Sequence, residues 1–162
     1  MDERVIIKDD NYIFLDIDGV INTVSDWKHS FFINTSCLNL FCQLVKDRDI
    51  KIVLISTWKN GFLGKRNPRN TKQIRWLEES FVIYDKIQDG KRYDKITEYI
   101  HANGIKKYVI IDDESEHYPT MDKHICIINP NKGFTRKDLK TCKKILCINY
   151  KSKTIDLYAD II

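Results

Sequence analysis

Proline and glycine are scarce, with 3 and 6 residues in a chain of 162, which excludes collagen-like repeats and Pro/Gly-rich disordered chains. No uninterrupted apolar run approaches the roughly 20 residues needed to span a bilayer. The opening MDERVIIKDD has no apolar stretch of the kind a secretory signal carries, so the cytoplasm is the expected location. The five cysteines (Cys37, Cys42, Cys126, Cys142 and Cys147) are scattered and form no C-x-x-C pair, which argues against a zinc or dithiol site. Free, mostly buried thiols are expected, with Cys42 and Cys142 on apolar helical faces. His29, His101, His117 and His124 show no ligand spacing. Internal repeats, low-complexity tracts and linkers are also absent, so residues 1–162 are expected to form one domain. Within it, periodicity leaves 148–162 open between a hairpin and a helix.

What is present is an ordinary globular composition, 43% apolar and 31% charged, with an uneven charge distribution. Lys59, Lys65, Arg66, Arg69, Lys72 and Arg75 fall between Thr57 and Leu77 with no acidic residue among them. That stretch carries +6; because the whole chain carries +4, the remainder nets −2. Such a concentration suits either an anionic partner, phosphate or nucleic acid, or a solvated loop and helix face. Trp58 and Trp76 flank these cations, where an aromatic can stack on a base; core packing is the simpler use of Trp76, beside Leu77.

Short Ile- and Val-rich runs alternate with segments of helical period, the pattern of an α/β domain with a mainly parallel sheet. The expected strands are Tyr12 to Leu15, Lys51 to Ile55, Val82 to Ile87, Tyr108 to Ile111 and Ile125 to Ile128. Consecutive apolar positions predict strands covered on both faces. Leu38, Phe41, Cys42 and Val45 recur at helical spacing and predict a helix over about Thr35 to Asp47, capped by Asn34, Thr35 or Ser36. Ile74 and Leu77 mark a shorter helix from Thr71 to Ser80. A third, from Asp94 with Ile96, Tyr99 and Ile100 inward, stops at Asn103-Gly104. Thr135 with Asp138 predicts a capping box opening a helix that buries Leu139, Cys142 and Leu146.

The densest chemical signal is IFLDIDGVIN, Ile13 to Asn22. Two carboxylates, Asp16 and Asp18, leave the carboxyl end of a buried strand, where ligands bind in open α/β sheets. A turn at Gly19 lets both address one pocket while Ile17 packs away. A second apolar strand ends in VIIDDES, bringing Asp112 and Asp113. Four carboxylates at one sheet edge repel one another by several kcal/mol at an intermediate dielectric, so the set makes sense around a hard divalent cation with oxygen ligands. Between these strands, KIVLISTWK ends in the hydroxyls of Ser56 and Thr57, and KRYDK supplies Lys91, Arg92 and Lys95 at a helix start. Hydroxyl and cation are what the remaining oxygens of a phosphoryl group require.

In identity, order and placement on strand ends, these four elements resemble the haloacid dehalogenase (HAD) superfamily of phosphohydrolases. Together STW, KRYDKI, DDE and the later NPNKGFTRKDL resemble its phosphatase-like domains associated with Swiss-Army-knife RNA repair proteins. The resemblance implies a Rossmann-like three-layer α/β sandwich with minimal or no cap. It also implies a Mg²⁺-dependent phosphatase in which Asp16 is the nucleophile and Asp18 the acid/base. Ser56 or Thr57 would bind a phosphoryl oxygen, and the cation would be Arg92 by the subgroup's spacing or Lys91 by the wider family's habit. Mg²⁺ would be held by Asp16, the backbone carbonyl of Asp18, and Asp112 or Asp113.

The segments from Asp18 to Ser56 and from Ser56 to Lys91 leave no room for a lid domain. Lys59, Lys65, Arg66 and Arg69 would then lie beside an open phosphate site, pointing to a phosphorylated nucleic-acid end, RNA above all, or a nucleotide as substrate. A signalling receiver domain uses similar groups but with the acidic pair on the first strand, the reverse of the order here. A catalytically idle binding module and a phosphotransferase of the same fold are the alternatives that share these residues.

Overall fold

The computed structural model describes residues 11–28, 33–58, 71–120 and 123–147. Five parallel strands form one sheet: β1 (Asn11–Leu15), β2 (Ile50–Leu54), β3 (Ile83–Lys86), β4 (Lys107–Asp112) and β5 (Ile125–Ile127). Their spatial order is β3-β2-β1-β4-β5. Each expected strand is present, with no end shifted by more than one residue.

The helices are α1 (Val24–Trp27), α2 (Thr35–Val45), α3 (Thr71–Ser80), α4 (Arg92–Asn103) and α5 (Arg136–Ile145). Asn34 caps α2, its side chain accepting from the Cys37 N–H at 3.1 Å. That helix ends two residues before the predicted Asp47, which takes a left-handed φ of 56° and cannot continue the turn. Gly104 closes α4 in the left-handed conformation, and α5 opens on the Thr135–Asp138 capping box. The short α1, not anticipated, opens on a second box between Thr23 and Asp26.

Alternate residues of β1 feed two cores. Ile13 and Leu15 pack with Leu38, Phe41 and Leu44 of α2, Ile74 and Leu77 of α3, and Leu139 and Cys142 of α5. Tyr12 and Phe14 pack with Ile96 and Tyr99 of α4. Both faces of the central strand are therefore covered, as its unbroken apolar sequence requires, and each fully buried Ile, Leu or Phe contributes roughly 1.5–3 kcal/mol. From β1 at the centre, the chain steps outward through α2 and α3 on one face, then returns by α4 on the other to place β4 against β1. That reversal opens a crevice at the carboxyl ends of β1 and β4. Parallel register sets Leu15 beside Ile111 there, so the residues that follow each strand emerge side by side.

Cys37, Cys126 and Cys142 are buried free thiols, Cys42 is partly buried and Cys147 exposed. No helix among the described residues is long and apolar enough to cross a membrane. The stretch 148–162 and the basic residues Lys59, Lys65, Arg66 and Arg69 lie outside the described residues.

Candidate active site

Asp16 follows β1 directly, anchored by its N–H bonding to Ile111 O of β4 at 3.0 Å. Asp16 is 5% exposed, and Ile17 beside it is fully buried. Gly19 turns the chain at φ 79°, a conformation that disfavours any side chain. An added Cβ there would collide with the Asp113 carboxylate. The two strand ends thus close on each other at the glycine, and oxygens of Asp16, Asp112 and Asp113 lie within 4.8 Å of one another.

Among the described residues, one cation is paired with this group. Arg92 at the start of α4 places Nη1 2.8 Å from Asp112 Oδ2 and 3.7 Å from Asp16 Oδ2. Asp112, fully buried, also accepts from Tyr118 Oη at 2.7 Å and from the Glu114 N–H at 3.1 Å. Burial pushes its pKa up, but the Arg92 charge and these hydrogen bonds outweigh that and hold it below the ordinary carboxylate value. Asp16 goes the other way: burial, the Asp112 charge and its hydrogen bond with Asp113 raise it well above that value despite Arg92. Asp113 is raised as well, first by burial. Among the described residues, three carboxylates face one guanidinium, a deficit of positive charge that a hard, oxygen-seeking divalent cation would fill; the donor set fits Mg²⁺.

Of the three cations at this helix start, the structure brings Arg92 to the carboxylates. Lys91 is exposed at the N-cap of α4, and Lys95 pairs with Glu98 at 3.1 Å. Ser56 is buried at 1% exposure just after β2, its Oγ accepting from the Trp58 N–H at 3.2 Å, whereas Thr57 is exposed.

Asp18 is half-buried and held from two sides. Its Oδ1 accepts from Asn22 Nδ2 and from Trp58 Nε1, each at 3.0 Å. Asn22 is fully buried, and its Oδ1 accepts from the Gly19 N–H and Trp27 Nε1, both at 2.8 Å. Trp58, expected as a possible stacking surface, is only 7% exposed and has an inward task, while Trp76, expected in the core, is 38% exposed. Sequence reasoning did not assign Asn22 or Tyr118 to the site, and gave Trp58 a stacking role in place of its bond to Asp18. The position of Asn22 at the end of D-x-D-G-V-I-N and of Trp58 directly after Ser-Thr were the available signals; Tyr118 had none. NPNKGFT also reaches this loop: Phe134 N–H bonds Val20 O at 2.8 Å and Val24 N–H bonds Pro130 O at 3.0 Å.

A five-stranded parallel sheet in this order, with carboxylates at the crevice, defines a Rossmann-like α/β protein of the HAD class. The chain belongs to the family of HAD domains in Swiss Army Knife RNA repair proteins, which matches it over residues 12–139. Neither the curated proteins nor the solved structures include a match to it.

Proposed function

We propose that the protein is a Mg²⁺-dependent phosphatase that hydrolyses phosphomonoesters through an aspartyl-phosphate, acting on phosphorylated nucleic-acid ends or nucleotides. The observation that carries the reading is the convergence of Asp16, Asp112 and Asp113 within 4.8 Å with Arg92 against them. Bound Mg²⁺ would neutralise the carboxylates and the phosphoryl oxygens, bringing two anions together without repulsion. Asp16 and Asp113 would be its side-chain ligands, with the backbone carbonyl of Asp18; Asp112, already engaged by Arg92, Tyr118 and Glu114, serves instead to orient the guanidinium.

An Asp16 carboxylate oxygen attacks phosphorus, and the bond to the leaving oxygen breaks as Asp18 donates its proton to that oxygen. The resulting Asp18 carboxylate then takes a proton from water, whose oxygen attacks the phospho-aspartate, breaking the bond to Asp16 and releasing phosphate. Ser56 and Arg92 bind the phosphoryl oxygens throughout.

For the substrate, support comes from the RNA repair context of the family and from the cations Lys59, Lys65, Arg66 and Arg69 in the segment after Ser56. Further support comes from Trp27, whose indole is 43% exposed while its N–H is fixed to Asn22, a neighbour of the Asp18 carboxylate. A ring pinned by its edge and open to solvent is a surface on which a base can stack.

The test is phosphate release, with and without Mg²⁺, from mononucleotides and from 5′- or 3′-phosphorylated RNA and DNA. Turnover that needs Mg²⁺ and disappears in Asp16→Asn is expected. Equal release by that variant, or none from any substrate, would overturn the reading.

A further inference from the structure

Two buried donors converge on a single oxygen of Asp18. Asn22 Nδ2 and Trp58 Nε1 both point at Oδ1, each at 3.0 Å, and they come from different strand ends, one after β1 and one after β2. Both side chains are themselves fixed. Asn22 is fully buried and holds the Gly19 N–H; Trp58 is 7% exposed and packs in the larger core. Neither nitrogen can accept a hydrogen bond in this arrangement, because an indole N–H and an amide N–H₂ are donors only. An oxygen that receives two N–H donors is the one that carries negative charge or the carbonyl character. A proton on that carboxyl therefore resides on the other oxygen, Oδ2.

We infer that Trp58 and Asn22 are positioning residues that lock the Asp18 carboxyl so that Oδ2 alone exchanges protons with the reacting oxygens. Neither touches the substrate; they act through Asp18. The inference rests on the phosphatase reading above and adds to it which oxygen works and what aims it. A carboxyl free to rotate would present its proton in many directions, and proton transfer needs the donor within about 3 Å and aligned.

Trp58→Phe keeps an aromatic ring in the core and deletes one donor. Protonation of the departing oxygen matters for a sugar alkoxide and very little for p-nitrophenolate, which leaves readily as an anion. The expected result is a first-turnover rate about tenfold lower for a nucleoside monophosphate, while the first-turnover burst of p-nitrophenolate from p-nitrophenyl phosphate keeps its rate and KM for both substrates is little changed. Asn22→Leu, close in volume and uncharged, deletes the other donor to Asp18 together with the acceptor for Gly19 and Trp27. It should show the same selectivity, and it provides the reading if Trp58→Phe melts below the assay temperature. The Mg²⁺-induced rise in melting temperature, retained in both variants, reports that the carboxylate cluster is intact. If either folded variant slows both substrates equally, or neither, the inference is overturned while the phosphatase reading stands. If the unmodified protein turns over neither substrate, the reading itself falls, and the inference with it.

Discussion

Arg92 Nη1 lies 2.8 Å from Asp112 Oδ2, joining a side chain 14% exposed to one with no exposure at all. The pair couples the start of α4 to the end of β4 across the crevice. Removing one partner of a buried pair strands the other charge, at a cost of roughly 3–5 kcal/mol. Arg92→Met is therefore expected to lower the urea unfolding midpoint well beyond what lost packing explains. Adding Asp112→Asn to it should recover part of that loss, because no buried carboxylate is then left unpaired. Strictly additive losses would show that the two side chains do not depend on each other. Arg92→Lys keeps the charge but not the planar fork, and should fall between parent and Met variant.

The carboxylates predict an unusual link between pH, metal and stability. Asp16 is raised by burial and its acidic neighbours, so the folded metal-free chain retains a proton that the unfolded chain loses near pH 3.9. The stability from this group is present below that value and lost as pH rises through the folded pKa. Asp112 is lowered and has the opposite sign: its contribution is present above the unfolded value and disappears as pH falls through the folded one. A metal competes with the Asp16 proton. The gain in melting temperature with Mg²⁺ over EDTA is thus expected to grow as pH is raised from about 5 to 8. Asp16→Asn, neutral at all these pH values, should melt above the metal-free parent at neutral pH and show little of the Mg²⁺ gain. Its turnover should fall by on the order of a thousandfold or more. Thermal unfolding with either additive across that range checks the first two, and a Mg²⁺ gain that Asp16→Asn retains in full would count against the assignment.

How much of this could be read from the chain follows from what each signal depends on. The strands were legible because burial on both faces demands unbroken apolar runs, and the Thr135–Asp138 start of α5 because a capping box is local. Asp16, Asp112 and Asp113 could be grouped because parallel strand ends share one edge. The choice of Arg92 over Lys91 and Lys95 was not decidable from composition: all three are cations within one turn, and only the helix's rotation decides which reaches Asp112. Trp58 was misread outward because its neighbours in sequence are cations and hydroxyls, whereas its partner Asp18 is 40 residues away. Tyr118 sits in an irregular connection next to a single 3-10 turn, with no period to betray its direction.

Substrate preference can be separated into base and backbone. Trp27→Ala removes the exposed ring, and stacking on one base is worth about 1–3 kcal/mol. Affinity for a 5′-phosphorylated oligonucleotide should therefore fall roughly 5- to 150-fold, while kcat/KM for ribose 5-phosphate, which has no base, stays near that of the parent. An equal loss on both would mean that Trp27 only supports Asn22. Separately, if Lys59, Lys65, Arg66 and Arg69 each neutralise a phosphate, log affinity for single-stranded RNA should fall against log salt with a slope of roughly −3. Replacing all four by Gln should flatten it.

Gly19 and Gly104 offer a matched pair for the closure of the site. Both have positive φ, 79° and 59°, so alanine at either costs about 1–2 kcal/mol of backbone strain. They differ in what the new methyl group meets. At Gly104 nothing lies within 4 Å, whereas at Gly19 it runs into the Asp113 carboxylate, which must swing away from Asp16. Gly104→Ala is expected to lower the melting temperature and leave Mg²⁺ affinity unchanged. Gly19→Ala should lower it at least as much and weaken Mg²⁺ binding by about tenfold or more, since losing one well-placed ligand is worth at least what is lost with a ligand's supporting partner. Calorimetric Mg²⁺ titration of the two variants decides: parallel losses of affinity would mean that strain alone loosens the site, and a loss confined to Gly19→Ala would tie the metal to Asp113.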